Sequence, residues 1–146
     1  MDIFVDRMQM CHKLDFRARL QVDPRTLSLA DLLLTNLQIV EINEKDMLDV
    51  MALFMDFVVE NSDRCINAAY IAGLTANDWG LYKTLDTNLK KMKAFALERH
   101  FPLQVAERID NLLAAIDQQP KSLSWKARSM IGERVPWYEL PEEPHE

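Results

Sequence analysis

The stretch from Met47 to Val59 constrains the fold most, because it is the longest apolar run and only Asp49 and Asp56 interrupt it. It falls short of the roughly 20 residues that span a bilayer. It also has too few polar positions for a helix with a broad solvent face. A helix so nearly apolar all round belongs at the buried centre of its domain. The spacing therefore predicts a helix, apolar nearly all round through Met47, Leu48, Val50, Met51, Leu53, Phe54, Met55, Phe57 and Val58, that is enclosed by other elements. Asp46, Asp49, Asp56 and Glu60 fall within roughly 80° of one another on that helix and form one acidic stripe. Those acids are either a solvated face or a buried, partnered set.

With 146 residues and a 49% hydrophobic composition, the chain suits one domain with a real core. The expected domain covers residues 1–135, with an irregular acidic tail over 136–146 that holds Pro136, Pro141 and Pro144. Met1-Asp2-Ile3-Phe4 is acidic at once and lacks a positive leader, so the expected location is cytoplasmic with no membrane anchor. Cys11 and Cys65 are too few for a disulfide framework and have no metal-ligand spacing. The net charge of −6 argues against a dedicated nucleic-acid binder. Bases nevertheless gather at Lys83, Lys90, Lys91, Lys93 and Arg99, and again at Lys121, Lys126, Arg128 and Arg134.

Residues 1–22 read as a β-hairpin. Leu14, Phe16, Ala18 and Leu20 alternate with polar neighbours, a period of two that puts one face on a core. The turn over 7–11 has no Asn-Gly or Asp-Gly signal, so its type stays open. Asp23-Pro24 ends the second strand. Residues 28–135 read as helical. Ser28 caps a helix with Leu29, Leu33, Leu37 and Val40 on one face, and Asn43 caps the next with Asp46 three residues on. A short helix follows over 66–74. Thr75 with Asp78 forms a capping box for a long one, with Tyr82, Leu85, Leu89, Met92 and Ala96 inward. Phe101-Pro102 opens a helix with Val105, Ile109, Leu112 and Ile116 inward, and Ser122 caps the last, which runs to about Ile131. The expected fold is α+β, a short antiparallel β-hairpin packed on a bundle of about six helices.

Leu32-Leu33-Leu34-Thr35-Asn36-Leu37, followed by Lys45-Asp46-x-x-Asp49, resembles the helical half of toxin-type (abortive-infection) nucleotidyltransferases and their bacterial relatives in the polymerase-β-like superfamily. Asp2-Ile3-Phe4-Val5-Asp6 is similar to the strand that carries that family's third carboxylate, with Asp2 the closer match. The resemblance implies catalytic roles for Asp2, Lys45, Asp46 and Asp49, a phosphate-facing position at Asn36, and Mg²⁺ held in part by Asp2. The chain departs from the pattern at Asn36, where the family has lysine. A neutral amide replaces a mobile cation there. The chain also has no Gly-Ser or Gly-Gly turn and no paired Asp-x-Asp on a strand, its glycines being Gly73, Gly80 and Gly132. Apart from the resemblance, Asp46 and Asp49 are acids in a helix's first turns, where the dipole favours them.

Two functions follow. One is a truncated or degenerate nucleotidyltransferase-like protein that does not transfer nucleotides alone. The other is a helical interaction or regulatory module, antitoxin-like, binding a protein or RNA through its basic faces and Trp137-Tyr138. The first strand, with Ile3, Phe4 and Val5 and no blocking proline or lysine, predicts a homodimer through the N-terminal β edge. His12, His100 and His145 lack partners at a diagnostic spacing.

Overall fold

The computed structural model describes residues 28–62 and 64–137, with the backbone of Arg7–Met8 and Leu14–Asp15. The architecture is mostly helical. β1 (Arg7–Met8) and β2 (Leu14–Asp15) precede α1 (Leu29–Leu37) and α2 (Glu44–Asp56). β3 (Val59–Glu60) and β4 (Ile66–Asn67) come next, then α3 (Ala68–Ala76), α4 (Trp79–Glu98), α5 (Leu103–Gln118) and α6 (Leu123–Ile131).

The strands that pack on the helices differ from expectation. β3 and β4 run parallel, Val59 beside Ile66 and Glu60 beside Asn67, and they contact α1, α3 and α5. An antiparallel hairpin packed on the bundle is thereby corrected to a parallel ladder. The connection over 61–65 is far shorter than the dozen or more residues that parallel strands ordinarily need. It leaves room for only two paired residues per strand. β1 and β2 pair antiparallel, Arg7 opposite Asp15 and Met8 opposite Leu14. The rest of residues 1–22, including Asp2 and the Ile3–Val5 edge, lies outside the described residues.

α2 stops sooner than its apolar run. Phe57 is extended at φ −128° and ψ 139°, and the Ile66 N–H donates to the Val58 carbonyl at 2.9 Å. The β-branched pair Val58-Val59 is better suited to that ladder than to another helical turn. Glu60 therefore leaves the acidic stripe. α2 is also not the buried centre. It buries one stripe, Met47, Val50, Met51 and Phe54, while Leu48 and Met55 are 46% and 41% exposed. The enclosed element is α1, whose Ala30, Leu33, Leu34 and Leu37 are wholly buried.

Capping follows the sequence in part. Ser28 accepts the Asp31 N–H at 3.2 Å, and its hydroxyl donates to the wholly buried Asp31 carboxylate at 2.7 Å. Asn43 and Asp46 form the reciprocal capping box of α2. Thr75, in contrast, caps nothing. It lies inside α3, and its hydroxyl donates back to the Ile71 and Ala72 carbonyls, each at 3.1 Å. Asp78 alone caps α4, accepting the Leu81 N–H at 3.0 Å. At the first turn of α4 Trp79, Gly80 and Leu81 are buried, while Tyr82, expected inward, is half-buried. α5 buries Val105, Ile109, Leu112 and Ile116 as its spacing predicts.

The C-terminal ends of α1, α2 and α5 carry no base in their last turn. Orphan carbonyls there need donors, and other segments supply them. Asn88 on α4, 2% exposed, donates to the Leu37 and Ile39 carbonyls at 2.8 and 2.7 Å. Arg108 on α5 donates to the Phe54 and Met55 carbonyls at 2.8 and 2.9 Å. Lys121 donates to the Ile116, Asp117 and Gln119 carbonyls at the end of α5.

Candidate functional site

Three regions carry chemistry. The first is the opening of α2, where the resemblance places Lys45, Asp46 and Asp49. Asp46 Oδ2 accepts the Asn43 N–H at 3.4 Å, and Asn43 Oδ1 accepts the Asp46 N–H at 2.9 Å. The Asp46 carboxylate is thus turned onto its own helix end. Lys45 and Asp49 are exposed. Asn36 lies half-buried in the last turn of α1, where its carbonyl accepts the Ile39 N–H at 3.2 Å. Asp2 lies outside the described residues. Among the described residues no three His, Cys, Asp or Glu side chains converge as a metal site.

The second region is an open cleft of about 310 Å³ between α4 and α5, lined by Tyr82, Asp86, Lys90, Leu113, Ala114 and Asp117. Lys90 and Asp86 pair at 3.0 Å one helical turn apart. The hydrogen bond and charge of Asp86 hold the Lys90 ammonium above its ordinary pKa. Burial, then the Asp86 and Asp117 charges, push the Tyr82 phenol up. Both groups keep their protons more firmly than free side chains do. A general acid or base near neutral pH needs the opposite tuning, a pKa brought toward the working pH. The cleft can donate hydrogen bonds and accept cations.

The third region is the seat of α6 on α4. The Tyr82 and Trp125 rings meet edge to face at 5.1 Å, and Lys121 Nζ lies over both, 5.6 and 5.7 Å from their centroids. Arg128 stacks on Trp79 at 4.9 Å and donates to the Gly132 and Val135 carbonyls, each at 2.7 Å. Trp137 meets Trp79 edge-on at 6.0 Å, and its indole N–H donates to Thr84 Oγ1 at 3.2 Å. Gly80 makes this docking possible, because a Cβ there would come within 2.6 Å of the Trp137 carbonyl oxygen. A glycine in the first turn of a helix, where it costs about 1 kcal/mol against alanine, was the available sequence signal for that close approach. The three tryptophans are thus engaged within the chain, while Tyr138 lies outside the described residues.

The two basic clusters are also largely spent. Lys83 pairs with Glu133 at 3.7 Å, Lys93 with Asp110 at 3.0 Å and Arg99 with Glu44 at 2.7 Å. Lys91 reaches the Ile42 carbonyl at 3.4 Å. Of the bases in those clusters, Lys126 and Arg134 keep their side chains free of any such contact among the described residues.

What α6 does not do is bury its own apolar residues. Leu123 and Met130 are 83% and 82% exposed, and no residue of the helix is fully buried. No helix among the described residues is long and apolar enough to cross a membrane. Comparison with protein-family models, with curated proteins and with solved structures finds no match to this chain.

Proposed function

We propose that this chain works by binding rather than by catalysis, as a helical interaction module whose recognition element is the outer face of α6. The observation that carries this reading is the exposure of Leu123 and Met130 on a helix that aromatic and cationic contacts fix to α4. An apolar stripe held rigidly in water is the usual form of a helix that docks into a partner's groove. The direction of tuning in the cleft supports the same reading, since Tyr82 and Lys90 are both moved away from neutrality. The pairing of most clustered bases favours a protein partner over RNA, whose phosphates need free cations.

The nucleotidyltransferase-like resemblance enters as ancestry. A chain with Asn36 at the phosphate-facing position, and Asp46 turned onto Asn43, keeps a helical half and gives up transfer.

Photo-crosslinking tests this. With benzoylphenylalanine in place of Met130 of the full chain, irradiation of the cells that make it yields a discrete adduct of higher mass. The absence of any adduct, or magnesium-dependent incorporation of label from a ribonucleoside triphosphate by the purified chain, overturns the reading.

A further inference from the structure

Two helices of this chain present the same apolar pattern to water. On α2, Leu48, Ala52 and Met55 are exposed, and on α6, Leu123, Ala127 and Met130 are exposed. Each set is a leucine, an alanine four residues on and a methionine three further, so each lies on one side of its helix. The charges beside the two stripes are opposite. Asp49 and Asp56 flank the α2 stripe with Lys45 beside them, which leaves that flank net acidic, and none of the three has an ion-pair partner among the described residues. Lys126 lies beside the α6 stripe and Arg134 just beyond it, equally unpaired.

We propose that the exposed face of α2 in one copy of this chain docks on the exposed face of α6 in a second copy. The proposal rests on the reading of α6 as a binding element and names its partner. The pairing cannot close within one chain. α6 is seated at Trp79 and Tyr82 of α4, whereas α2 is tied to the other half of that helix through Arg99 and the segment before it through Lys91. Residues 82 and 95 of a helix are separated by about 20 Å. Each copy therefore offers one acidic-flanked and one basic-flanked stripe at separated places. Joining unlike faces closes as a two-fold dimer where each copy's α2 meets the other's α6, and as a ring or open chain where the two contacts are made to different copies. Alanine at the middle of both stripes lets the helices approach closely. The opposed charges favour α2 on α6 over α2 on α2 or α6 on α6, by the rule that like charges across an interface select against the wrong partner. Stripes this short make a small interface, so the assembly is weak and concentration-dependent.

Sedimentation equilibrium of the full chain across the micromolar-to-submillimolar range tests the pairing. The unaltered chain is expected to gain mass with concentration. The variants Leu48→Asp/Met55→Asp and Leu123→Asp/Met130→Asp each stay monomeric, with unchanged circular dichroism. Mixed in equal amounts they form a one-to-one complex, because one intact α2 face and one intact α6 face remain. Asp49→Lys/Asp56→Lys weakens assembly, and mixing that variant with Lys126→Glu/Arg134→Glu restores it. A chain that stays monomeric throughout, assembly that survives in the α6 double variant, or a mixture that does not pair overturns the proposal. The α6 variant keeps the test sound even if aspartates on α2 disturb folding, since Leu123 and Met130 are almost fully exposed. A crosslink from position 130 to a different protein, without self-assembly, removes the self-pairing and leaves α6 as a binding element. No crosslink at all removes both.

Discussion

At the scale of single residues, His100 is held in a conformation its side chain disfavours. It has φ +58°, the one non-glycine with positive φ among the described residues. It ends α4, with the Phe101 N–H donating to the Ala96 carbonyl at 2.9 Å and its own N–H to the Leu97 carbonyl at 3.3 Å. Glycine is the usual residue at that position because it lacks the Cβ that crowds the left-handed region. His100→Gly is expected to raise stability by about 0.5–1 kcal/mol, read as a higher denaturant midpoint with an unchanged slope. The sequence shows a histidine before Phe101-Pro102 and so marks a helix end, but nothing in it gives the sign of φ. Asn88 is a similar case. It lies among inward-facing α4 positions, and its role becomes visible only once the end of α1 is placed beside it.

The helices separate into those whose inner face periodicity discloses and those where it fails. α5 alternates apolar and charged residues, so Val105, Ile109, Leu112 and Ile116 can only face inward. α2 is apolar on nearly every side, and its periodicity carries no information about direction. Apolarity on every side overstates its burial, and of that apolar set Leu48, Met55 and Val58 face outward. The β3–β4 ladder was illegible because Ile66-Asn67 continues without a break into α3. The candidate regions fared similarly. The capping box of Asn43 and Asp46 could be read locally, whereas the cleft needs α4 and α5 laid side by side. Phe54→Ala is expected to cost about 3–5 kcal/mol, from lost transfer energy and a cavity. Met55→Ala next to it should stay within about 0.5 kcal/mol. Denaturant unfolding of the two variants checks the contrast, and equal losses would place Met55 inside.

For the whole molecule, the cleft between α4 and α5 links stability to alkaline pH. The Tyr82 phenol has its pKa raised in the fold, first by burial and then by Asp86 and Asp117. The folded state thus holds that proton more tightly than the unfolded chain does. Its contribution is complete below the ordinary tyrosine value of about 10 and is lost as pH rises through the higher folded value. Stability is expected to fall more steeply on that side for the unaltered chain than for Tyr82→Phe. Thermal melts at a series of alkaline pH values, with tyrosinate absorbance followed in parallel, measure it. Identical slopes for the two proteins would show that the phenol titrates as it does when unfolded.

The donors that close α1 and α2 sit far along the chain. Asn88 lies 51 residues from Leu37, and Arg108 lies 54 residues from Phe54. A helical protein ordinarily folds fast because its contacts are local. Here α1 and α2 can begin to wind on their own, yet their ends fray until α4 and α5 arrive. Helices made early in this stretch thus wait, half-finished, for donors made about fifty residues later. A ribosome that has released only α1, α2 and α3 holds a nascent chain whose helix ends are still open to water and to other chains.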